Sequence, residues 1–121
     1  MHPETERMLE RTKAFGISVV KFSRKLPNDP AGFTLAKQLI RSGTSVGANY
    51  REAQRARTKN EFTSKRSILL QEAEESKYWL DIIEGSELAD VEKVQPLSLE
   101  VEEFIAILVS AIRSAKEQQV D

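Results

Sequence analysis

The chain has 121 residues, 40% hydrophobic and 31% charged, a balance that suits one folded helical domain over residues 1–121 and not a disordered chain. It has no cysteine, which excludes disulfides, thiolate zinc sites and cysteine nucleophiles. The net charge of −1 conceals a division: residues 1–66 hold 14 Lys+Arg against 6 Asp+Glu, and residues 67–103 hold 2 against 11.

The start, "MHPETERMLERTK", is charged and lacks an apolar leader pattern, which points to the cytoplasm. From about Glu4 to Lys25, the residues Met8, Thr12, Phe15, Val19, Phe22 and Leu26 recur every three or four positions and predict one amphipathic helix. "LPNDPAGF" then supplies a stop, an N-cap and Pro30 near the start of a second helix running to about Arg55. That helix carries two stripes, Phe33/Ala36/Ile40/Gly43/Gly47/Tyr50 and Leu35/Leu39/Ser42/Val46/Asn49/Ala53, so it should touch neighbours on two sides.

Thr58 followed by Glu61 has capping-box spacing and opens a third helix reaching about Ile83. One of its stripes holds Phe62, Leu69, Ala73, Ser76, Leu80 and Ile83; the other holds Ile68, Glu72, Glu75, Trp79 and Ile82. Gly85 should break the chain, with Ser86 as the next N-cap. Because proline does not fit an undistorted helix interior, Pro96 predicts a short helix near 87–94 and a main fourth helix from Pro96 to Lys116. Leu97, Val101, Phe104, Leu108, Ile112 and Ala115 give that helix its apolar stripe. Long helices joined by short turns predict an all-α, antiparallel up-down-up-down four-helix bundle. The longest apolar runs, such as "FIAILV" at 104–109, are too short to cross a membrane.

The stretch "RSGTSVGANYREAQRAR", residues 41–57, is unusual for a helix interior. Gly43 and Gly47 lie one turn apart, and each costs a helix about 1 kcal/mol relative to alanine. Close approach of another helix would offset that; a ligand pocket cleared by small side chains, or a kink, are the alternatives. Buried polar groups need partners, so Ser42, Ser45 or Asn49 should meet Glu72 or Glu75 across the second and third helices, with Arg41 compensating charge. Glutamates edging the stripe and reaching water are the alternative arrangement.

Chemistry-bearing patterns are few. Metal sites in bundles use glutamates with Glu-x-x-His pairs, but the one histidine is His2, at the end of the chain. Glu72-x-x-Glu75 and Glu100-x-x-Glu103 place carboxylates on one helix face without imidazole. Ser42, Ser45 and Ser76 have no histidine base, and "GTSVGANY" lacks the lysine of a phosphate loop. The reading is no enzyme, no catalytic residues, no metal and no cofactor. Binding is indicated instead by Arg51, Arg55, Arg57, Lys59, Lys65 and Arg66, a basic cluster opposed by Glu52 and Glu61 alone. With Arg7, Arg11, Arg113 and Lys116 it should form one cationic pole of the bundle, opposite Glu84, Glu87, Asp90 and Glu92. Such a pole could engage RNA or DNA phosphates, stay solvated, or meet acidic groups of a neighbouring protomer.

"RSGTSVGANYREAQRARTKNEF" with "LLQEAEESKYWLDII" resembles the four-helix-bundle family first noticed in intervening sequences of bacterial 23S ribosomal RNA genes. The shared pattern falls on Arg41, Ser42, Ser45, Ala48, Asn49, Glu52, Phe62, Glu72, Glu75, Trp79 and Leu80, with "PLSLEVEEFIAIL" resembling the opening of the family's last helix. A more distant resemblance is to the accessory protein of diversity-generating retroelements. These likenesses imply a ring-like homo-oligomer, a homopentamer in relatives, acting as an interaction protein with protein or nucleic-acid partners.

Overall fold

The computed structural model describes residues 2–120, with side chains described through Glu117, and consists of four helices: α1 Pro3–Ser23, α2 Pro30–Gln54, α3 Lys59–Gly85 and α4 Val91–Val120. Local chemistry sets their starts. His2 Nδ1 accepts from the Glu4 amide, Asp29 Oδ1 accepts from the Gly32 amide at 2.8 Å, and Thr58 Oγ1 accepts from the Glu61 amide at 3.0 Å. Each satisfies an amide that the helix itself leaves without a partner. The Glu61 carboxylate reaches back to the Arg57 amide, one residue before the position a capping box uses.

Cross-helix pairs give the register. On α1 and α2, Thr12 faces Gly47 and Val19 faces Gly43; on α2 and α3, Ser42 meets Ser76 and Glu52 meets Lys65; on α3 and α4, Lys77 meets Glu102 and Glu84 meets Gln95. In every case one number rises as the other falls, so consecutive helices run antiparallel. Arg11 with Glu100, and Phe15 edge-on to Phe104 at 5.6 Å, close α4 back onto α1. Each helix therefore touches two neighbours, and among the described residues the backbones of diagonal helices do not approach closely. The α1–α4 seam is the thinnest.

The core comes from the anticipated stripes: Phe15 and Val19 from α1, Leu39 and Val46 from α2, Leu69, Ala73, Leu80 and Ile83 from α3, and Val101, Phe104 and Leu108 from α4. Both α2 stripes are used, one against α1 and one against α3. Phe33 is the exception, standing 62% exposed near the start of α2. On the second α3 stripe, Ile68 and Ile82 also face outward.

The region after α3 differs from expectation. Gly85 is the last residue of α3, and Ser86 follows as its C-cap, with its hydroxyl donating to the Ile82 carbonyl. The left-handed residue is Glu87, at φ 62. Its conformation lets the Leu88 amide reach the Ile83 carbonyl and the Glu87 amide reach that of Glu84, which terminates the helix. No separate helix spans 87–94: α4 begins at Val91 and carries Pro96 inside it. Pro96 lies in the second turn, near enough to the start that α4 continues through it, and Val94, ahead of the expected boundary, is fully buried.

Candidate interaction surfaces and the polar seams behind them

The α2–α3 seam is polar at its centre. Ser42 and Ser76 are both fully buried, and the Ser76 hydroxyl lies 2.9 Å from Ser42 Oγ and 2.9 Å from the Glu72 carbonyl oxygen. One shared hydroxyl pair thus satisfies two buried groups. Arg41, one residue away on α2, reaches across to Glu72 Oε2 at 3.1 Å and also contacts the Glu75 carboxylate. Glutamates three apart stack on one helix face, so a single guanidinium spans both. The expected partners therefore change places: Arg41 holds the glutamates, and Ser42 pairs with Ser76. Ser45 and Asn49 bond within α2, the Ser45 hydroxyl to the Arg41 carbonyl and the Asn49 amide to the Ser45 carbonyl. Trp79, on the same stripe as Glu72, has its indole N–H buried without a hydrogen-bond partner.

The same device recurs on the opposite side of the bundle. Arg11 of α1 donates to Glu100 at 2.6 Å and lies 3.2 Å from Glu103, while its guanidinium sits 5.1 Å over the Phe104 ring. The hydrogen bond to Glu100 raises the Arg11 pKa further above its ordinary value, against the opposing effect of burial. Glu72-x-x-Glu75 and Glu100-x-x-Glu103 are thus arginine clamps, each tying α3 or α4 to the helix beside it. Arg11 is consequently part of a mid-bundle pair, and the cationic pole anticipated around it is smaller.

Gly43 and Gly47 stand where α1 comes closest to α2. A Cβ on Gly43 would lie 2.9 Å from both γ carbons of the buried Val19, and one on Gly47 would lie 3.2 Å from the Thr12 carbonyl oxygen. A tighter constraint, absent from the sequence reading, falls on Gly32. Its Cβ would lie 1.8 Å from the Pro27 carbonyl oxygen, so only glycine lets the α1–α2 connection fold over the start of α2.

The six cations of the 51–66 cluster separate into groups. Arg55 and Arg57 are exposed at the α2–α3 turn and form no ion pair among the described residues. Lys65 is paired with Glu52 at 2.7 Å. Lys59 and Arg66 border a cleft between α3 and α4, with the Arg66 guanidinium 5.5 Å over the Phe62 ring. Arg51 faces the other way, into a groove of roughly 570 Å³ between α1 and α2. Small residues Gly16, Thr44, Gly47 and Ala48 open that groove, and its cations are Lys13, Lys21, Arg24 and Arg51, with no carboxylate among its lining residues. Across the bundle, the outer side of α3 and α4 exposes Tyr78, Ile82 and Leu99 among Glu74, Asp81, Glu102 and Glu103, of which Asp81 and Glu102 pair with Lys77 and Glu103 with Arg11.

A family profile described as the 23S rRNA-intervening sequence protein matches residues 4–110. The chain is also similar to a solved structure from Bacteroides thetaiotaomicron, a protein of unknown function from the S23 ribosomal protein family. The two are 33% identical and superpose with a TM-score of 0.80 over 87% of this chain and 97% of that one. No curated protein matches the chain significantly. Residues 4–110 take in all of α2 and α3 and the Arg41 and Arg11 clamps, and on that match the chain belongs to the 23S rRNA-intervening sequence protein family.

Proposed function

We propose that this protein is a non-enzymatic interaction protein that assembles with copies of itself, head to tail, into a closed ring. The supporting observation is that two outer faces of the bundle are unlike. The α1–α2 groove is cationic and floored by small side chains, whereas the α3–α4 side presents apolar residues flanked by carboxylates. Complementary potentials favour such an encounter, and a heterologous contact must close into a ring to avoid forming an open filament. Exposed apolar residues such as Tyr78 and Leu99 gain by burial. Five subunits is the number implied by the family resemblance. Light scattering at micromolar concentration tests the reading: a mass several times 13.7 kDa is expected, and a single-chain mass would refute it.

A second reading has its own support in Arg55 and Arg57, which stand exposed at one turn with no ion pair among the described residues. These groups suit phosphate contacts to RNA or DNA, which weaken steeply with salt. Fluorescence anisotropy with RNA at two salt concentrations separates the readings. Binding abolished by Arg55→Glu with Arg57→Glu supports nucleic-acid recognition, and absence of binding at low salt removes it.

A further inference from the structure

The cleft between the first turns of α3 and the far end of α4 has a volume of roughly 510 Å³, within the range of small-molecule sites. Three cations from two helices, Lys59, Arg66 and Lys116, line it, and among the described residues no carboxylate does. Four cations that bridge helices, Arg11, Arg41, Lys65 and Lys77, each contact at least one carboxylate. Lys59, Arg66 and Lys116 form no ion pair among the described residues. Arg66 Nε is moreover buried with no hydrogen-bond partner among the described residues, a costly state for a donor on a charged group.

Like charges around one cavity repel, and an anion among them relieves that repulsion. Asn60, Thr63 and Ser67 add neutral hydrogen-bonding groups to the same lining. The positive end of the α3 helix dipole lies at Lys59 and favours an anion in the same place. Apolar side chains of the same two helices, Phe62 on α3 and Ile112 and Ala115 on α4, complete the lining, with the Arg66 guanidinium 5.5 Å over the Phe62 ring. The lining thus offers cations and donors for a doubly charged phosphate and apolar side chains for a flat, weakly polar body.

We infer that this cleft binds a phosphomonoester carrying an aromatic group, of the nucleoside monophosphate class, with its phosphate held by Lys59, Arg66 and Lys116. The base lies against Phe62 and Ile112. This site does not depend on self-association, because every lining residue belongs to one copy of the chain.

Calorimetric titration of the full-length chain with AMP, adenosine and inorganic phosphate tests the site. AMP should bind, and adenosine and inorganic phosphate should each bind at least about tenfold more weakly, since each lacks half of the recognised chemistry. Lys59→Glu and Lys116→Glu should each weaken AMP about tenfold or more while leaving the helical circular dichroism unchanged. Both side chains are exposed, so these variants keep the test independent of Arg66, whose removal could disturb folding. Lys37→Glu, on the outer side of α2 and away from the cleft, should leave AMP binding as it was. No AMP binding at low-millimolar ligand, adenosine or inorganic phosphate binding as tightly as AMP, or unchanged AMP binding in the Lys59→Glu/Lys116→Glu double variant would each overturn the proposal.

Discussion

Gly43 and Gly85 both lie in helices, yet the same substitution should move their stabilities in opposite directions. Alanine at Gly43 drives a Cβ to 2.9 Å from two carbons of Val19, a β-branched, fully buried side chain with no room to turn. The helix-propensity gain of about 1 kcal/mol is outweighed by overpacking, for a net loss of about 1–2 kcal/mol. At Gly85 a Cβ meets nothing within 4 Å, so alanine should gain up to about 1 kcal/mol. Urea unfolding of the two variants measures both signs. Glu87 is the complementary case: its φ of 62 is strained for a residue with a Cβ, and Glu87→Gly should raise stability by about 1 kcal/mol. α3 ends at Gly85, as the sequence suggests, but the left-handed residue that turns the chain is Glu87, two positions later. That outcome depends on where the Leu88 amide finds a carbonyl, which no residue pattern records.

At the scale of elements, α1, α2 and α3 were legible because apolar periodicity and capping residues agree, as at Asp29 and Thr58. α4 was read as two pieces because the proline rule dominated; in the bundle, Val94 and Leu97 on either side of Pro96 are both buried and hold one continuous helix. The clamps were half legible. Two Glu-x-x-Glu spacings were visible, but partner choice depends on which arginine the register brings alongside, and Arg11 lies 89 residues from Glu100. Removing a clamp cation strands its carboxylates. Arg41→Ala leaves Glu72, 13% exposed, without its counter-charge and should cost about 1–3 kcal/mol. Glu72→Gln with Glu75→Gln in the same background should recover part of the loss, a coupling that a double-mutant cycle measures.

Tyr50 adds a pH signature at the α1–α2 seam. Burial pushes its phenol above the ordinary 10.0, with the Glu4 charge adding to the rise and a Thr5 hydrogen bond opposing it. A raised folded-state value favours the neutral form. Its stabilising contribution is therefore complete below 10.0 and lost as pH climbs through the folded value. Lys77 behaves likewise above 10.5, because hydrogen bonding to Asp81 favours its charged form. Tyr50→Phe should flatten the alkaline fall in stability, leaving the Lys77 portion, as thermal unfolding across that range would register.

For the whole molecule, charge divides by face more clearly than by end. The anticipated axial dipole is weakened by Arg11, drawn into a mid-bundle pair, and by Lys21, Lys25 and Lys93, which share a pocket near the end that was expected to be acidic. That redistribution could not be read from segment totals, because antiparallel packing interleaves both halves of the chain at each end. It also makes association the property on which the account turns. Sedimentation velocity of the wild type beside Tyr78→Asp/Leu99→Asp tests it, since both side chains are more than half exposed. The wild type should sediment as a species several times 13.7 kDa and the variant as a folded single chain. A wild type that sediments as one chain, or a variant whose mass equals the wild type's, would contradict it.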